Sequence, residues 1–171
     1  MAAAEGTNPI RYIEDLYWAP LRRRRIAPPG AAQVYLSRNG RLYCPAGGLT
    51  HGEQLWRVPR RVYEIDMSPH PLELSYELTN GSTQVSVDVT AVWQVVDPVA
   101  VVQARVFDVP ARARPRLLEV LQEEIAMVGQ HSGPQLRRAL DAAMFPDVRL
   151  AEGIALREIH ATVPVLEEHA E

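Results

Sequence analysis

The sequence contains no lysine, one cysteine and two phenylalanines, and no apolar run approaches the roughly 20 residues that cross a bilayer as a helix. All eighteen basic residues are arginine, a bias that follows genomic base composition and to which no function attaches. A single cysteine, Cys44, excludes an intramolecular disulfide and a multi-cysteine zinc centre, and it fits a reducing, cytosolic setting. Its place in the pattern reads as a partly buried strand position rather than a reactive thiol. The N-terminus lacks the basic-then-apolar order of a secretory signal. Glycine-rich phosphate loops, G-x-S-x-G elbows and H-E-x-x-H helices are missing, as are His or Cys pairs at ligand spacing. The five histidines, His51, His70, His131, His160 and His169, are scattered and read as surface imidazoles. The expectation is a protein with no catalytic residue, no metal and no cofactor.

What is present is an ordinary core and an uneven charge. Of 171 residues, 47% are hydrophobic and 23% charged, which suits one globular domain with a tail. The net charge is −3, yet residues 1–61 hold ten arginines against four acidic residues, while residues 62–171 hold eight against seventeen. The basic end and the acidic body can attract each other or separate their partners.

The strongest local signal runs from Pro71 to Asp97, where two alternating apolar and polar segments meet at Asn80-Gly81. That pattern predicts a long β-hairpin. With Asn80 and Gly81 as the turn, Leu78 faces Thr83, Tyr76 faces Val85, Leu74 faces Val87 and Leu72 faces Val89, so that one face is apolar and continues through Ala91, Trp93 and Val95. The same register sets Glu73 opposite Asp88 on the polar face, a like-charge pair read as solvated or covered by Arg60 or Arg61. The second strand stops at Asp97-Pro98, where Asp caps a helix and Pro suits its first turn.

Upstream, Gln33 to Ser37, Arg41 to Cys44, Glu53 to Val58 and Arg61 to Met67 read as strands. After Pro98 the period changes from two to about 3.6. Helices are predicted over Val99 to Phe107, Arg114 to Val128 and Pro134 to Met144. The second presents Leu117, Leu121, Ile125 and Val128 on one face; the third presents Leu136, Leu140, Ala143 and Met144. Ile154 to Val165 reads as a closing strand, with Ile159, Ala161, Val163 and Val165 alternating. Strands followed by helices and a returning strand describe an α+β domain.

This order of elements, with Val62-Tyr63-Glu64-Ile65-Asp66, Leu78-Thr79-Asn80-Gly81 and the run Val85 to Pro98 at its joints, resembles the SPFH (band 7) domain of stomatins, prohibitins, flotillins and bacterial slipins. Pro29-Gly30-Ala31-Ala32-Gln33-Val34, the Pro45-Ala46-Gly47-Gly48-Leu49 loop and Gly153-Ile154 extend the similarity over residues 28–166. Asp66, Asn80, Gly81, Trp93, Asp97, Pro98 and Gly153 are the fold-signature positions it singles out. The resemblance implies a strand-rich, mainly antiparallel first half, a long β-hairpin, three helices and a closing strand. Residues 1–27 then form a flexible or amphipathic basic segment and residues 167–171 a tail. It also implies a non-enzymatic scaffold of short bacterial type, acting through self-association and recruitment, as for bacterial relatives that accompany membrane proteases. The family's membrane-embedded start and long coiled coil have no counterpart in these residues, and Gln130-His131-Ser132-Gly133-Pro134 interrupts its helical signature. Lateral contact between domains is the mode of association that remains.

One segment stands apart in composition. Ile10, Tyr12, Ile13, Leu16, Tyr17, Trp18 and Leu21 precede Arg22, Arg23, Arg24 and Arg25. Ile10, Ile13 and Tyr17 sit at helical spacing, which predicts a short amphipathic helix ending near Ala19. Such a segment suits an anionic membrane surface, with rings at headgroup depth and about 1 kcal/mol of attraction per basic residue. These eleven residues are the membrane-contact candidates, and they place the protein in the cytoplasm, peripheral to the inner face of the cell membrane. The partners expected are other copies of the chain, a protein partner such as a membrane protease, and an anionic surface; one short basic run is no nucleic-acid footprint. Two other readings stand beside this one: a soluble module whose N-terminal segment enters a protein groove, and a small-molecule-binding or enzymatic α+β domain with a polar pocket.

Overall fold

The structure is a computed structural model and describes residues 7–16, 26–80, 83–128 and 133–164. In chain order these residues form β1 (Ile10–Asp15), β2 (Ala31–Leu36), β3 (Leu42–Tyr43), α1 (His51–Arg57), β4 (Arg61–Asp66), β5 (His70–Asn80) and β6 (Thr83–Val95). They continue as α2 (Pro98–Ala104), α3 (Val109–Val128), α4 (Gly133–Ala142), β7 (Val148–Leu150) and β8 (Ile154–Thr162). The fold is α+β with two antiparallel four-stranded sheets, ordered β1-β4-β2-β3 and β5-β6-β8-β7. The chain packs as two compact units, one drawn from Met1–His70, Gln94–Val109 and Arg149–Ala155, the other from Pro71–Trp93, Pro110–Val148 and Leu156–Glu171.

In the first unit β4 is central to its sheet, pairing with β1 on one side and β2 on the other. The helix expected from residue 10 is, over the described residues, the edge strand β1. A bulge explains the misreading: Ile10 faces Ile65 and Tyr12 already faces Glu64, so Arg11 is the extra residue. It resets the two-residue alternation and leaves apolar side chains spaced three apart, which mimics a helix. The strand expected at Glu53 to Val58 is likewise corrected, because His51–Arg57 is the helix α1. Its start is a capping box: Glu53 Nα donates to Thr50 Oγ1 at 3.3 Å, and Glu53 Oε2 accepts from the Thr50 backbone N–H at 2.8 Å and from its hydroxyl at 2.7 Å.

Tyr35, Leu49 and Val62 form a buried cluster in this unit, with Leu16 and Tyr43 packed against it. Tyr35 stacks on Tyr43 with centroids 5.7 Å apart, and its hydroxyl donates to Gln33 Oε1 at 2.7 Å while accepting from the Leu49 N–H at 3.4 Å. The loop before α1 is thus tied to β2, and Arg57 at the end of α1 lies over the Tyr43 ring.

In the second unit the hairpin has the facing expected of it: Leu72, Leu74, Tyr76, Leu78, Val85, Val87, Val89, Ala91 and Trp93 are all buried, as is Val95, which the first unit holds. β5 runs through Asn80; Gly81 lies outside the described residues. Asp88 accepts a 2.7 Å hydrogen bond from the Ser75 hydroxyl, so its carboxylate has a polar partner on the outer face of the hairpin. α3 starts at Val109, before the expected Arg114, and carries Pro115 inside it. Leu117 and Leu121 of α3 and Leu136 and Leu140 of α4 are buried as expected. Met144, assigned to the same face of α4, is instead 93% exposed, because the helix ends at Ala142. The closing strand breaks its alternation at Glu158, whose φ of 50° turns two successive side chains, Arg157 and Glu158, outward before Ile159 and Ala161 return to the core.

Trp93 is 1% exposed and the largest fully buried side chain. Replacing it with Ala is expected to cost about 3–5 kcal/mol in chemical denaturation; a loss near zero would contradict the facing of the hairpin.

Candidate functional site

The membrane-contact candidates divide at Leu16. Ile10 is 5% exposed and paired within the sheet, and Leu16 packs on the Tyr35 cluster, so neither side chain is offered to a surface, a correction to the expected anchor. Tyr12 and Ile13 are 36% and 43% exposed. Tyr17, Trp18, Leu21 and Arg22 to Arg25 lie outside the described residues. β1 is held at both ends, by the Asp66 N–H donating to the Pro9 carbonyl at 2.8 Å and by the Leu16 N–H donating to the Arg60 carbonyl at 2.7 Å.

The most concentrated chemistry gathers on Asp66, at the end of β4. One of its carboxylate oxygens accepts from Arg11 Nε at 2.8 Å and from the same guanidinium's Nη2, and lies 2.9 Å from His70 Nε2; the other accepts from the Ser68 N–H at 2.9 Å. The bulge that obscured β1 is what turns Arg11 toward this carboxylate. His70 corrects the surface reading given to it, since its side chain is 22% exposed and engaged. Burial pushes the Asp66 carboxyl up, but the donors from the Ser68 backbone, Arg11, the Ser68 hydroxyl and His70 outweigh it and hold the group below the usual aspartate range. A hydrolytic triad needs the imidazole between serine and carboxylate. Here Ser68 and His70 both bond the carboxylate directly, so the cluster fastens β1, β4 and the turn into β5 rather than activating a hydroxyl.

The second joint is at the end of β6. Asp97 caps α2, its Oδ1 accepting from the N–H groups of Val99 and Ala100, each at 3.0 Å, with Pro98 opening the helix. Gly153, in the turn from β7 to β8, accepts at its carbonyl from Val96 and Asp97 N–H at 2.9 and 3.1 Å. Its φ is +82°, and a Cβ there would lie 2.3 Å from the Asp97 carbonyl oxygen. Three of the fold-signature positions, Asp97, Pro98 and Gly153, therefore meet at one point. Beside it a depression of about 370 Å³ is lined by Ala100, Gln103, Ala104, Ala151 and Glu152, offering two polar side chains among three alanines.

Cys44 is half-buried, as expected, and burial followed by the nearby Asp97 charge pushes its thiol up, away from reactivity. Among the described residues no three His, Cys, Asp or Glu side chains gather as a metal site, and no helix is long and apolar enough to cross a membrane. Compared with known proteins, the chain matches no protein-family model and no curated protein.

The low-lying Asp66 carboxyl has a pH consequence. A group that titrates lower in the folded than in the unfolded chain gives its full stabilisation above the ordinary aspartate value of 3.8 and loses it as the pH falls through the folded value. Asp66→Asn is expected to cost about 1–3 kcal/mol at neutral pH and to flatten the acid limb of the stability profile. Equal acid sensitivity in parent and variant would remove Asp66 as the fastening group.

Proposed function

We propose that the chain is an SPFH (band 7)-type scaffold that acts by self-association and by recruiting a protein partner, in peripheral contact with an anionic membrane surface on the cytoplasmic side. The reading begins from the joint at Asp97, where a long hairpin ends in an Asp-Pro helix cap and a glycine of the returning turn packs against it. The residues at that joint and along the hairpin are among those that carry the resemblance to the family, and assembly is the activity that such a resemblance suggests. Charge supports the recruitment half. Glu73, Glu77 and Glu158 are exposed on strands of the acidic part of the chain, a face suited to a basic partner. The membrane half rests on the composition of Tyr17 to Arg25, the part of the anchor that follows β1.

Sedimentation velocity across a range of concentrations tests the first claim, with species heavier than the 19.1 kDa chain expected. A monomer at every concentration would sink the scaffold reading. Replacing Arg22 to Arg25 with Gln in the full chain is expected to weaken flotation with anionic vesicles by several hundred-fold, at about fivefold per charge. A soluble interaction module would show no flotation in either protein. Truncation is the wrong tool here, because a chain starting after residue 16 also loses β1.

A further inference from the structure

The strands of the first sheet end together. Asp15 and Leu36 both pair with Arg61, and Leu36 pairs with Leu42, so the last residues of β1 and β2 and the first of β3 and β4 share one rim. Arg60 extends β4 across that rim, donating its N–H to the Leu36 carbonyl and accepting from Leu16, each at 2.7 Å. The β2–β3 turn closes over the same rim, with the Ser37 N–H bonded to the Arg41 carbonyl at 2.9 Å. Every connection at this end carries arginine: Arg38 and Arg41 in the turn, Arg57 at the end of α1, and Arg60 before β4, all exposed. Arg61 is also there, paired with Asp15. Of the other nearby acids, Glu53 is committed to the Thr50 cap and Glu14 sits one residue inside the rim.

Exposed apolar side chains stand beside Arg57 and Arg60 in the chain. Trp56 is 91% exposed, four residues from Arg60, and Val58 is 39% exposed. Val58 holds a φ of 38°, a conformation that β-branched residues rarely adopt. Such outliers persist only where the surroundings impose them, and they cluster at sites of use. Arg57, next to Trp56, lies with its guanidinium over the Tyr43 ring, so the end of α1 is tied to β3.

We propose that this rim is a second membrane-contact surface, in which Arg38, Arg41, Arg57 and Arg60 meet anionic phospholipid headgroups and Trp56 with Val58 enters the interfacial layer. It rests on the peripheral-contact reading above and adds to it a surface on the folded unit. The occupant follows from shape and charge together. An exposed indole next to Arg57 in the chain, with three more exposed arginines along the rim, complements a flat anionic layer with an apolar interior, whereas a protein groove would be met by a row of apolar anchors. Continuity points the same way: β1 leaves the sheet at this rim, at Leu16, and the Tyr17 to Arg25 stretch follows directly.

The test uses the full chain with phosphatidylcholine vesicles, with and without phosphatidylserine, beside Arg38→Gln/Arg41→Gln/Arg60→Gln, Trp56→Phe and the Arg22 to Arg25 variant. The three-arginine change is expected to weaken binding to phosphatidylserine vesicles by about 100-fold, at fivefold per charge, with the thermal melt unchanged because all three side chains are exposed. Brominated lipid is expected to quench a fluorescence component that Trp56→Phe removes. Loss of binding in the Arg22 to Arg25 variant with rim variants behaving as the parent overturns the rim and leaves the N-terminal contact standing. Loss in the rim variants alone supports the rim and removes the other contact. Tighter binding to a single-stranded oligonucleotide than to vesicles overturns the lipid assignment. Sedimentation of the same variants reads self-association separately, so failure of the scaffold reading is distinguishable from failure of the rim.

Discussion

The carbonyl oxygen of Asp97 leaves no room for a side chain at Gly153, and much of the first unit's geometry follows from that close approach. Asp97 follows the end of β6, caps α2 and presents its backbone to the turn between β7 and β8, so three changes of chain direction are settled within a few ångströms. Gly153 suits the position twice over, because its φ of +82° is unfavourable for other residues and because no Cβ fits. Ala100, on the first turn of α2, closes the remaining space, its Cβ lying 3.0 Å from where a Cβ on Gly153 would stand. Capping and close packing are thus one feature: the residue that orients the helix also receives the turn.

Asp66 does for the end of β4 what Asp97 does for α2. A buried carboxylate is costly unless its lone pairs are used, and here a bulged arginine, a turn N–H and hydroxyl, and an imidazole use them. Gly30 is part of the same arrangement: at φ +75° it leaves space for the Ser68 hydroxyl, and its carbonyl accepts from Met67 at 2.7 Å. Acidic side chains at these two positions are spent on the backbone and on fastening, while Glu73, Glu77 and Glu158 remain at the surface to set the field of the acidic half.

Legibility in the sequence followed the length of the pattern. Ten alternating apolar positions specified the hairpin's facing, and Asp97-Pro98 specified the start of α2, because both rest on residue types with one strong local preference. Shorter or interrupted patterns misled. At β1 a one-residue bulge turned a period of two into a spacing of three. At α1 the apolar content of Leu55, Trp56 and Val58 suggested a strand, although Thr50 and Glu53 spell the capping box that the structure uses. The helix expected from Arg114 begins at Val109 and runs through Pro115. The Asp66 cluster was only half legible: Asp66 stood out as a fold-signature position, but its ties to Arg11, 55 residues away, exist only once the bulge and the sheet order are known. β7, three residues long, carries too little sequence to announce itself.

The β5 edge of the second sheet is poorly suited to pairing with its own copy. β5 is an edge strand of 11 residues, long enough to pair with a copy of itself. Its middle is obstructed: Arg114 donates from Nη1 to the Ser75 carbonyl at 3.1 Å, with its guanidinium over the Tyr76 ring, while the Tyr76 hydroxyl donates to the Arg114 carbonyl at 3.0 Å. A two-fold antiparallel pairing centred on Ser75 would also set Glu73 of one copy against Glu77 of the other, twice, and like charges directly opposed are destabilising. Moving the centre by two residues, to Glu73 or to Glu77, opposes that glutamate to its own copy instead. Each of these registers sets at least one glutamate against another, so the pattern Glu-x-x-x-Glu on the outer face works with Arg114 against pairing of the edge with its own copy in them. The same two glutamates that disfavour a like chain on the outer face attract a basic group there, which is the sign of partner that the acidic half of the chain favours.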